Sequence, residues 1–154
     1  MDAVSQRSTL VHDTVRLEQL VVAPLSAVWQ AYAETAVRSQ WSVPAGQSMV
    51  FDADDFHAGG RARYRCGTPG SMEFHGVIEY HFIEPEDTIV YTETVRIGEQ
   101  LLASSLVSWE FIQEVDGICV VVTDQTTSYV GREMIDDSRN GHTIALEQLV
   151  SFLE

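Results

Sequence analysis

Positive charge is scarce in this sequence: nine Lys and Arg residues stand against twenty-three Asp and Glu, a formal net charge of −14. A surface of that sign repels phosphate backbones and anionic bilayers, which excludes nucleic acid and membrane as expected partners. Long apolar runs are also missing. No stretch approaches the roughly 18 residues that span a bilayer, and residues 1–12 lack the basic start and unbroken apolar segment of a signal peptide. A soluble, cytoplasmic protein is therefore expected. Cysteine is limited to Cys66 and Cys119. They lie far apart on predicted strands, where buried free thiols are expected unless those strands are neighbours that permit a disulfide. The chain has no G-x-S-x-G elbow, no C-x-x-C, no H-E-x-x-H and no Gly-rich phosphate loop ending in Lys-Ser or Lys-Thr. It also lacks a repeat of solenoid period, a low-complexity run and a Pro-, Gly- or Ser-rich linker. No cofactor and no metal is expected.

What is present suits one domain. The 154 residues are 45% hydrophobic, enough for a substantial core. Residues 1–12 are polar and aperiodic and read as a flexible tail, with a single domain over 13–154. The last stretch, 139–154, reads as an amphipathic helix: His142, Ala145, Leu146, Leu149, Phe152 and Leu153 recur at three- and four-residue steps. That apolar face needs a broad partner.

The preceding text supplies one. Val15, Leu17, Gln19 and Val21 share one parity of a strand that stops at Ala23-Pro24. Leu25, Val28, Trp29 and Tyr32 then mark a short helix, and Thr35 is a candidate cap for a second that ends near Trp41. Six further strands follow at 48–53, 61–66, 72–83, 88–97, 101–115 and 118–129, with turn residues between them. Such short links imply antiparallel neighbours. The fold class is α+β: a curved antiparallel sheet of about seven strands wrapped around the C-terminal helix. The irregular stretch 130–138 is a candidate flap over a cavity between them.

Specific words of the sequence resemble a family. Val21-Val22-Ala23-Pro24-Leu25-Ser26-Ala27-Val28-Trp29 resembles the opening of proteins similar to the C-terminal domain of the activator of the heat-shock protein 90 ATPase, within the START and birch-pollen-allergen-like superfamily of helix-grip folds. Arg38 to Pro44, Ala58 to Tyr64, Phe74-His75-Gly76 and Ile83 to Thr92 resemble further stretches of that family in the same order. The likeness covers about residues 13 to 154. Two positions depart from it: the family's doubled Trp is Gln40-Trp41 here, and its Gly-Trp at the last helix is Gly141-His142. The resemblance implies a helix-grip fold and either a small-molecule binder, a cyclase- or hydrolase-type enzyme, or a chaperone partner; the fold alone does not choose among them.

Candidate site residues follow from parity and size. Trp41, Tyr64, Tyr80, Tyr91 and Trp109 are large side chains assigned to inward faces or the cavity mouth, and Tyr and Trp add a polar tip for orienting a ligand. Gln19, Gln125 and His142 are polar where apolar residues are expected, and buried polar groups require partners. His142, set opposite Glu79 or Tyr80, would form an acid–base pair, since imidazole suits proton transfer. Arg61, Arg63 and Arg65 share one sheet face, where pairing with Glu79, Glu93 or similar carboxylates is favoured over an anion site. Asp52, Asp54 and Asp55 near His57 read as a solvated acidic turn, because Phe56 and Ala58 replace what a calcium loop requires. His75 and His81 lie six residues apart, roughly 20 Å along a strand, too far to share a metal. The expected function is binding of a small, largely hydrophobic molecule by a monomer or homodimer.

Overall fold

The computed structural model describes residues 10–44 and 46–154, so residues 1–9 of the tail assigned to 1–12 lie outside the described residues, while Val11 and His12 belong to a strand. Strand β1 (Val11–Val21) is followed by helices α1 (Leu25–Ala33) and α2 (Thr35–Trp41). Strands β2 (Ser48–Asp54), β3 (Arg61–Thr68), β4 (Ser71–Glu84), β5 (Thr88–Ile97), β6 (Gln100–Glu114) and β7 (Gly117–Ser128) come next, and helix α3 (Arg132–Leu153) ends the chain. The seven strands form one sheet in the order β1-β7-β6-β5-β4-β3-β2, and every pairing is antiparallel. The two short helices carry the chain from one sheet edge to the other. This is the expected α+β helix-grip architecture.

The alternation of β1 is as read: Val15 and Val21 are buried, and the residues between them alternate with exposed ones. The strand begins at Val11, earlier than its periodicity suggested, because it pairs along its whole length with β7. In α1 the buried face is Val28, Trp29, Ala31 and Tyr32. Thr35 does not cap α2. Glu34 occupies the cap position without a side-chain bond, and the Thr35 hydroxyl donates instead to Asp54 at 2.6 Å.

Helix α3 begins at Arg132, so most of the 130–138 stretch is helical rather than an irregular flap. Ile135 is fully buried there and Ser138 follows one turn later on the same face. Two adjacent apolar residues, Met134 and Ile135, among charged neighbours give too little periodic signal to extend the helix by sequence. Gly131, with φ at +95°, occupies the N-cap position in a conformation costly for other residues. Ala145, Leu146 and Leu149 are buried as expected, and Val150 and Leu153 pack against the core, whereas Phe152 is 43% exposed.

The core lies between the sheet and the three helices. Its centre is aromatic, with Trp29, Tyr32, Trp41, Trp109 and Phe111 meeting mostly edge-on or tilted at 5.0 to 6.4 Å between ring centres. Cys66 and Cys119 are free thiols on β3 and β7, strands that are not neighbours. Among the described residues, no helix is long and apolar enough to cross a membrane.

Candidate functional site

A cavity of about 260 Å³ lies between the inner face of β3–β6, the end of α2 and the middle of α3. Trp41, Tyr64, Tyr91, Trp109 and His142, five of the expected site residues, line it. Tyr80 sits behind that wall and Gln125 is outside. The parity of β7 is the reason. Ile118, Val120, Val122, Asp124, Thr126 and Ser128 are the buried residues of one alternating set, joined only by Val121 from the other, so the inward polar residue is Asp124 and Gln125 faces solvent. Gln19 has the expected inward parity, and its amide donates to the Leu20 carbonyl at 3.1 Å.

Asp124 is the partner of His142. Its Oδ2 accepts from Nε2 of His142 at 2.9 Å and from the Ser138 hydroxyl at 2.8 Å. These bonds tie α3 to β7, the strand next to the β1 edge. The expected pairing of His142 with Glu79 or Tyr80 does not form: Glu79 reaches Arg61 on the outer face at 3.9 Å, and Tyr80 donates to Asp54 at 2.7 Å. A carboxylate can only accept, so the Nε2 nitrogen carries the proton and Nδ1 keeps a lone pair when the ring is neutral.

Glu93 is the acidic group on the cavity wall. It follows Tyr91 at strand spacing on the inner face, so it does not pair with the outward arginines. Arg65 instead bonds both oxygens of Asp52, the closer at 3.0 Å. Glu93 Oε2 accepts from the Tyr64 hydroxyl at 2.5 Å. The residue is half-buried by area because the cavity reaches it, yet protein surrounds it closely. Desolvation therefore pushes its carboxyl above the ordinary range; the Tyr64 bond and His142 pull downward, and the negative charge of Asp124 adds to the rise. Burial likewise raises the Tyr64 and Tyr91 hydroxyls well above their ordinary value and Tyr32 to about 12.

A second buried cluster lies beside the cavity. Arg38 meets Asp54 at 2.5 Å, with side chains only 5% and 3% exposed. Arg38 also donates to the Tyr32 carbonyl at 2.9 Å and to the Tyr80 hydroxyl at 3.3 Å, and its guanidinium lies 4.7 Å from the centre of the Phe51 ring. The acidic turn is thus only partly solvated. The strand register explains Asp54: Phe51 pairs with Tyr64 and Ala53 with Arg63, leaving Asp52 as an extra residue. That bulge shifts the parity and turns Asp54 inward where Ala53 would have pointed.

The sequence model of the family described as activator of Hsp90 ATPase homolog 1-like protein matches residues 22–154. The chain belongs to that family. Solved structures share its fold. A protein from Rhizobium leguminosarum is 24% identical with a TM-score of 0.83, over 96% of this chain and 97% of the other. One from Rhizobium loti is 25% identical with a TM-score of 0.82, over 92% and 97%. One from Chromobacterium violaceum is 19% identical with a TM-score of 0.80, over 92% and 96%. No curated protein matches the sequence. Family membership accounts for the scaffold words in the sequence. Glu93, on the cavity wall, and Asp124, behind His142, lie outside those words, and His142 is a position that departs from them.

Proposed function

We propose that this protein binds a small, largely apolar molecule in the cavity between the sheet and α3. The observation that carries this reading is the composition of the wall: Trp41, Tyr64, Tyr91 and Trp109 surround about 260 Å³ with few polar groups converging on it. Binding sites for small molecules have that character, and since pockets for drug-sized ligands span roughly 300–1,000 Å³, this cavity suits a molecule smaller than those. The fold family supports the same reading, since a curved sheet gripping a helix leaves room between them.

The test is the mass of purified protein under native and denaturing conditions. A discrete excess of a few hundred daltons, on the order of what such a pocket holds, lost on denaturation and reduced by Trp109→Ala, is the expected result. Protein that carries no excess mass and gains no thermal stability from any of a panel of apolar compounds overturns the reading.

The Asp124–His142 hydrogen bond favours a second reading, an enzyme of cyclase or hydrolase type on the same cavity. A carboxylate that holds one imidazole nitrogen leaves the other free to take a proton. On that reading His142→Ala abolishes turnover of a screened substrate while the protein stays folded.

A further inference from the structure

The hydrogen-bonding groups of the cavity wall are one-sided. Its charged and indole donors are engaged within the protein. Arg38 is held by the Tyr32 carbonyl, Asp54 and Tyr80. Trp41 Nε1 donates to the Ala31 carbonyl at 3.0 Å and Trp109 Nε1 to the Tyr91 hydroxyl at 3.3 Å. The hydroxyls of Tyr64 and Ser138 are directed at Glu93 and Asp124. Beyond these the wall offers only neutral donors, the amide of Gln47 and the hydroxyls of Tyr32 and Tyr91, and none of them neutralises a charge.

The acceptors are open. Glu93 receives one bond, on Oε2, and its Oε1 has no partner among the described residues. His142 Nδ1 is likewise without one. Asp124 Oδ1 is also unpartnered, but it is fully buried behind the wall and out of a ligand's reach. Glu93 and His142 both line the cavity, so a ligand that brings donors finds open acceptors there. Charge points the same way. The fixed cation on the wall, Arg38, is already paired with Asp54, whereas Asp124 adds negative potential at Glu93. A carboxylate or phosphate would meet that potential with no open cation to receive it.

Resting on the small-molecule reading above, we propose that the ligand is a lipophilic amine whose apolar body lies among the cavity aromatics and whose protonated nitrogen donates to the Glu93 carboxylate. Glu93 is faced by Tyr64 and Cys66 from β3, Tyr91 from its own strand, Asp124 from β7 and His142 from α3, with Tyr32 and Arg38 completing the wall. None of these supplies the unpaired positive charge that Glu93 needs to ionise at low cost. The amine does. Binding therefore releases a proton from Glu93, and affinity rises with pH until the amine loses its own proton.

The test is calorimetric titration of the full chain with three probes of one shape: naphthylmethylamine, naphthylmethanol and naphthoate. The amine is expected to bind about tenfold or more tighter than naphthoate, the ratio for one charge-assisted hydrogen bond, with proton release detected as a dependence of the heat on buffer ionisation enthalpy. Glu93→Gln is expected to bring that ratio close to one. Proton release by the wild-type protein decides the matter even if the variant fails to fold. Naphthoate or naphthylmethanol binding as tightly as the amine overturns the amine proposal and leaves the cavity reading standing. Failure of all three probes overturns both.

Discussion

The Tyr64 hydroxyl reaches Glu93 across an intervening strand. Tyr64 is on β3 and Glu93 on β5, with β4 between them. The β4 residue opposite Tyr64 is Gly76, and a Cβ there would collide with the Tyr64 ring. The missing side chain is what lets the ring lie across the strand and place its hydroxyl on the Glu93 carboxyl. Gly76 is thus a positioning residue for the cavity's acidic group, which gives the His-Gly word at residues 75–76 a physical reason.

Gly76→Ala should therefore destabilise the protein by about 1–3 kcal/mol, the usual cost of overpacking. Urea denaturation measures it. The loss should shrink in a Tyr64→Ala background, where the ring is gone; equal losses in both backgrounds would locate the strain elsewhere.

Asp54→Ala removes one partner of a buried ion pair and should cost about 3–5 kcal/mol, because the Arg38 guanidinium is left buried and uncompensated. Arg38→Met should cost a similar amount. The double variant should lose clearly less than the sum of the two, and additivity in thermal or chemical denaturation would argue against the coupling.

Glu93 gives a pH dependence of defined sign. Its folded-state carboxyl is raised by burial, so the native state holds the proton where the unfolded chain has released it. That contribution is fully present below the ordinary glutamate value and is lost as pH rises through the raised folded value. Glu93→Gln, which still accepts from Tyr64, should gain stability relative to wild type between pH 5 and pH 8. Melting temperatures of the two proteins across that range check it; parallel curves would show that Glu93 ionises without penalty.

Cys66 also lines the cavity, and burial, with any charge on Glu93 adding to it, pushes its thiol up to about 11. On the order of one thiol in ten thousand is then ionised at pH 7, so alkylation should be slow there and accelerate in alkali. A bound cavity ligand should slow the reaction of Cys66 and not of Cys119, which lies on the outer face of β7. Peptide-level mass spectrometry separates the two sites.

Local pattern settled the architecture of this protein before any coordinates. Alternation and turn residues marked all seven strands to within three residues at either end, and the 3.6-residue period marked the buried stripe Ala145, Leu146 and Leu149. These signals are local: a side chain's face depends on its neighbours' spacing. The acidic groups of the site could not be read that way. The bulge at Asp52 turns Asp54 inward, the phase of β7 selects Asp124 over Gln125, and both are set by pairing with other strands. The Tyr64–Glu93 bond needs β4 to supply a residue without a side chain at the crossing point. Sequence fixes what each strand can present; which polar groups meet inside is decided by register, because a shift of one residue sends every side chain to the opposite face.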